Sequence, residues 1–248
     1  MTLQEVFSQL TYGELSQLNL GINPDGTPNE AQQDALIGHV NLGLAALYRR
    51  FPLKQGRITV ALQEGRTTYP LHSAYSVTTR RSREPVRFIL DSADFPFTDD
   101  ISKVEQVFTD AGHEMALNDG ADPLAIVTPA PTTLRVPPAV VGKANDLPAY
   151  LKTEKLEVVY RATHPMIVKP VGYFDPSRVE LELPYTHLEA LLYFIASRAY
   201  SPTGMVNEFD MGNSFAAKYE RACQEIEFVN MRVDQGANYD RIQRNGWV

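Results

Sequence analysis

The five histidines, His39, His72, His113, His164 and His187, are the first place to look for chemistry. No two stand at the spacing of metal ligands, and His113-Glu114 lacks the second histidine of a zinc protease helix. Asp94, Asp99 and Asp100 have the right oxygen chemistry for calcium but miss the one-three-five alternation of a calcium loop. The chain carries no glycine-rich phosphate loop, no Walker pattern and no nucleophile elbow. Acid–base catalysis by paired carboxylates needs two groups whose pKa values are pushed apart, and the sequence marks no such pair. The single cysteine, Cys223, has no internal disulfide partner and falls on the apolar face of an expected helix, where it packs as a small hydrophobe. These residues point to no enzyme, no metal site and no cofactor.

Three charged segments offer binding chemistry instead. Nine acids lie between Asp91 and Asp122 against one base, Lys103. Such a surface is either simply solvated or, if it lined a channel, would repel DNA by like charge. Just before it, Arg80, Arg81 and Arg83 form a cluster suited to phosphate or to an acidic partner. The segment from Met231 to Val248 contains Arg232, Tyr239, Arg241, Ile242, Arg244 and Trp247. Arginines and aromatics are common binding anchors, and an extended segment can order itself on a partner. The net charge of −7 argues against general nucleic-acid binding. No run is long and apolar enough to cross a bilayer, and the first ten residues lack signal-peptide order, so no membrane association is expected.

The elements that must position these segments follow from periodicity. A short first helix starts at Thr2, with Glu5 completing a capping box, and buries Leu3, Val6, Phe7 and Leu10. A second helix is expected to be capped by Thr27, with Pro28 at its first position and Glu30 closing another box. Its stripe is Leu36, Ile37, Val40, Leu44, Leu47 and Tyr48, and Pro52 ends it. From Gly56 to about Val179 the period changes to two, and "RITVALQEGRTTYPLH" reads as a hairpin turning near Glu64 and Gly65. Prolines 129, 131, 137, 138 and 148 suggest edges and loops. "LPYTHLEALLYFIASRAYSP" is a third helix, and a fourth runs from roughly Met211 to Val229 with Phe215, Tyr219, Ala222, Cys223 and Ile226 inward. The expected fold is α+β. Residues 1–55 and 183–229 make a helical bundle, 56–182 an inserted antiparallel β domain, and 230–248 an extended tail.

This layout resembles the head-to-tail adaptor (connector, or neck) proteins of tailed bacteriophages, with the tail tubular proteins of short-tailed phages as the nearest type. Three segments carry the resemblance: "MTLQEVFSQLTYGELSQLNLG", "FPFTDDISKVEQVFTDAGHEMALN" with "TPAPTTLRVP", and the helix pair ending in "FAAKYERACQEIE". The resemblance implies a virion structural protein at the head–tail junction, assembled in the host cytoplasm. It implies a homo-oligomeric ring, commonly of twelve copies, seated under the portal protein. Such a ring continues the DNA channel without sequence-specific contact to the genome and presents a surface to a tail or nozzle protein. On this reading the tail anchors named above, Arg232 to Trp247, contact the portal. Arg80, Arg81 and Arg83 contact a neighbouring subunit or a tail protein. Other readings are a tail-side terminator or nozzle component that does not touch the portal, a hydrolase using acids of the β domain, and a carbohydrate-binding module using Tyr69, Tyr75 and Tyr173.

Overall fold

The structure is a computed structural model that describes residues 1–16, 23, 27–79, 84, 86–141, 148, 153–170, 172, 174–200 and 206–228. The chain divides into two compact units. One takes Met1–Leu53 with His164–Val248, and the other is the continuous segment Lys54–Thr163. The fold is α+β: a helical bundle built from both ends of the chain, with an antiparallel β unit inserted between its second and third helices.

In the helical unit, α1 spans Leu3–Tyr12. Thr2 and Glu5 form the expected reciprocal cap: the Glu5 N–H donates to Thr2 Oγ1 at 3.3 Å and the Thr2 N–H to Glu5 Oε2 at 3.0 Å. The chain start is fastened further on, because the Leu3 N–H donates to the Val179 carbonyl and the Leu181 N–H to that of Met1. The second helix, α2, spans Glu30–Arg50. Its cap is Asn29, whose side chain accepts from the Gln32 N–H, and not Thr27. Thr27 is buried and its hydroxyl accepts from Asn23 instead, so Pro28 precedes the cap. All six stripe residues of α2 are buried, and Phe51 and Pro52 follow its last turn.

Between them α3, Leu188–Tyr200, and α4, Val206–Phe228, complete the bundle. A single 3-10 turn, Tyr185–His187, leads into α3. The start of α4 lies five residues before the expected Met211, because Gly212 and Asn213 are weak helix formers that blur a start read from sequence. The core joins Leu3, Phe7, Leu44, Leu191, Phe215 and Cys223, among others, into one cluster. At Gly43 α2 packs tightly on α3: a Cβ there would lie 2.6 Å from Leu191 Cδ1. Arg50 ties α2 to α4 through a two-pronged pair with Glu220, at 2.6 and 2.8 Å, and a bond from Nε to Glu227 at 3.1 Å.

The β unit holds two antiparallel sheets. Strands β1 (Gln55–Ala61), β3 (Ile89–Leu90), β4 (Ile101–Thr109) and β7 (Lys155–Ala162) form one, in the order β3-β1-β7-β4. Strands β2 (Thr68–Pro70), β5 (Val127–Ala130) and β6 (Thr133–Arg135) form the other, in the order β2-β6-β5. The expected hairpin across Gly65 is therefore corrected. The chain does turn there, at φ +78°, but β1 and β2 part into different sheets. The Tyr69 hydroxyl holds that turn by accepting from the Gln63 N–H and donating to the Arg66 carbonyl, both at 2.9 Å. Pro70 and Pro129 lie on the edge strands β2 and β5, where a missing N–H donor is tolerated. Ile58, Val60, Val107, Val158, Tyr69 and Leu134 meet in a core of their own.

Candidate functional site

The nine contact residues read from sequence, Arg80, Arg81, Arg83, Arg232, Tyr239, Arg241, Ile242, Arg244 and Trp247, lie outside the described residues. Three other sequence features are placed. His187 is 2% exposed, packed edge-on to Phe51 at 4.9 Å, and its Nε2 has no hydrogen-bond partner. Burial pushes its pKa below the ordinary histidine value. His164 Nε2 accepts from the Glu182 N–H at 3.3 Å and its ring meets that of Tyr48 edge-on at 5.5 Å. Both histidines are built into the bundle's packing. Among the described residues, the carboxylates whose pKa moves all move down. Asp91 is raised by burial and lowered more by Ser76, Thr78 and Phe97; Asp175 is lowered by Ser177, and Glu220 by Arg50. A proton donor at neutral pH would need the opposite shift.

Of the three tyrosines of the sugar-binding reading, the structure places two. Tyr69 is fully buried, Tyr75 is stacked on Phe88 at 4.8 Å, and Tyr173 lies outside the described residues. Asp94, Asp99 and Asp100 do share a loop, but two of them have structural work. Asp99 accepts from the Ser73 N–H at 2.5 Å, and Asp100 from the Tyr160 hydroxyl at 2.9 Å. Among the described residues no group of three or more His, Cys, Asp or Glu side chains could hold a metal ion.

What the described surface does offer is a set of exposed apolar side chains on fixed backbone. Phe95 tops the loop between β3 and β4 at 84% exposure. In the helical unit, Asn41 grips an extended segment by donating to the Ile167 carbonyl and accepting from the Ile167 N–H, each at 2.9 Å. Ile167 points inward, and Met166 and Val168 on either side are 76% and 70% exposed. Sequence reading missed these positions because an apolar residue in a mixed run is normally assigned to a core. The one available signal was "DFPF", where Pro96 marks a loop rather than a strand around Phe95. Single exposed hydrophobes are ordinary, and it is contiguous apolar patches that mark protein–protein contacts.

A family model described as SU10 adaptor protein matches residues 10–244, nearly the whole chain. The chain belongs to the SU10 adaptor protein family. It is thus a phage structural adaptor, a component of the virion, in agreement with the resemblance carried by its termini and its β segment. No curated protein matches the chain. For an adaptor the relevant sites are surfaces rather than clefts with reacting groups, which fits what the geometry offers. Among the described residues no helix is long and apolar enough to cross a membrane.

Proposed function

We propose that this adaptor closes into a ring between portal and tail, continues the DNA channel and gives the tail its attachment surface. The observation that carries the reading is the family match over residues 10–244. Physical support comes from the architecture. A ring needs heterologous contacts, in which two different faces of one subunit meet on its neighbours. A bundle and a separate β unit in one chain can supply two such faces. The acidic run from Asp91 to Asp122 suits a channel wall that DNA must slide past without sticking, since like charge repels the backbone. The ring is taken as twelve-membered, as is common among the adaptors the chain resembles.

In this proposal Arg232, Tyr239, Arg241, Ile242, Arg244 and Trp247 contact the portal, and Arg80, Arg81 and Arg83 contact a neighbouring subunit or the tail. Trp247 is the chain's single tryptophan, so its fluorescence reports on that end alone. Adding purified portal is expected to shift its emission to the blue as the indole leaves water. An unshifted spectrum on a saturated complex removes the tail from the portal contact. The function itself is tested by imaging lysates of the encoding phage with this gene silenced. DNA-filled or leaking heads without tails are expected. Heads with a complete neck and a defective tail would move the protein to the tail side, and normal infectious particles would end the proposal.

A further inference from the structure

Resting on the ring reading, we propose that the cleft beside Phe95 receives the arginine run 80–83 of a second copy of this chain. The cleft, about 680 Å³, lies within the β unit against β1, β7 and the loop from Asp91 to Asp100. Its loop is fixed. Asp91 accepts from the backbone N–H of Thr78 at 3.2 Å and of Phe97 at 3.0 Å, and from the Thr78 hydroxyl. Asp99 sits at φ +61°, a left-handed conformation, and is held there by the Ser73 N–H. Phe95 is therefore presented to solvent from a loop that has already lost its freedom, so little ordering cost remains for a partner to meet.

The lining decides the chemistry. Phe95 supplies the exposed aromatic surface, with Phe97 and Tyr160 largely buried; Asp91, Asp94, Asp100 and Glu157 supply carboxylates, against Lys54 and Arg57 as the cations of the lining. Glu157 is paired with Arg57 at 3.0 Å, and Asp100 gives one oxygen to Tyr160. Asp94 has no hydrogen-bond or ionic partner among the described residues, and Phe95 is its chain neighbour. An exposed aromatic face beside a free carboxylate matches a planar guanidinium, which stacks on the ring and pairs with the acid. A nucleic-acid backbone would be repelled by the same carboxylates. The chain's own arginine run, Arg80-Arg81-Ser82-Arg83, has the complementary charge and the required side-chain type. One subunit offering the cleft and its neighbour offering the run is a head-to-tail contact, the kind that repeats around a ring.

The test uses the full chain with p-benzoylphenylalanine in place of Phe95. Protein grown in ¹⁴N and in ¹⁵N is mixed in equal amounts, irradiated and digested. The expected product is a mixed-isotope peptide pair joining position 95 to the peptide containing residues 80–83. Its yield should fall at least several-fold in 1 M salt, where the pair is screened. It should vanish with R80E/R81E/R83E and return when D94K is added to the triple variant. Cross-links confined to one isotope would assign the cleft to the chain's own run and overturn the proposal. So would cross-links to any other segment, or none. Mass photometry separates this from the ring reading: a ring without the mixed cross-link sinks this contact alone, and a chain that stays monomeric on purified portal sinks the ring.

Discussion

Two glycines on one helix give opposite expectations when each is changed to alanine. Gly38 and Gly43 both lie inside α2, so each substitution gains helix propensity, about 1 kcal/mol. At Gly38 a Cβ would meet nothing within 4 Å, and Gly38→Ala should stabilise by nearly the whole of that. At Gly43 the Cβ would lie 2.6 Å from Leu191 Cδ1 and 3.1 Å from Phe194 Cδ1. Carbon atoms rest about 3.5–4.0 Å apart, so the Leu191 contact is roughly 1 Å too close. Leu191 is fully buried, so its side chain must turn against its packed neighbours or α3 must shift. Overpacking of this kind costs about 1–3 kcal/mol. Set against the propensity gain, Gly43→Ala is expected to be neutral or destabilising by up to about 2 kcal/mol. Urea unfolding followed by far-UV circular dichroism at 222 nm reads the helical unit, and a shifted midpoint with an unchanged slope is a change in stability. If Gly43→Ala stabilises as much as Gly38→Ala, the close α2–α3 approach is wrong.

Three further outcomes follow from the same structure. His187 is held neutral by burial, with a folded pKa below the unfolded value of about 6.5. The unfolded chain therefore binds the proton first, so this contribution to stability is full above about pH 6.5 and is lost as pH falls through the lowered pKa. His39, lowered by burial and by Arg198, acts in the same direction. Melting temperature against pH should show that decline, and His187→Phe should flatten it; an unchanged profile places the titration elsewhere. Arg50→Met removes the Glu220 and Glu227 pairs from a side chain that is 23% exposed, and a loss of about 1 kcal/mol that shrinks in high salt is expected by denaturant titration. Cys223 is buried, and burial pushes its thiol pKa up, so a thiol reagent at pH 8 should label the native chain far more slowly than the unfolded one. Equal rates would place the thiol at the surface.

The bundle was legible because its signals are local. The capping box of Thr2 and Glu5, the stripe from Leu36 to Tyr48 and the stop at Pro52 each act within a few residues, and each is found in place. The second cap was misplaced by two residues because Thr27, Asn29 and their neighbours all have capping chemistry, and only the tertiary contact of Thr27 with Asn23 decides between them. The β unit was legible as strands but not as sheets. Alternation says which face of a strand is buried, and nothing in "RITVALQEGRTTYP" says that β1 will pair with β7, about a hundred residues on, rather than with β2. The surfaces were harder still. Charge runs can be counted from sequence, but the exposure of Phe95, Met166 and Val168 is a result of the fold: Phe95 lies in the loop between β3 and β4, and Met166 and Val168 flank the residue that Asn41 holds.

Immunogold labelling reads the place of the protein in the particle. Antibody against this chain, carried by gold and imaged on intact virions of the encoding phage, should mark one vertex, where head meets tail. Label spread over the capsid, confined to the far end of the tail, or missing from opened particles would contradict it.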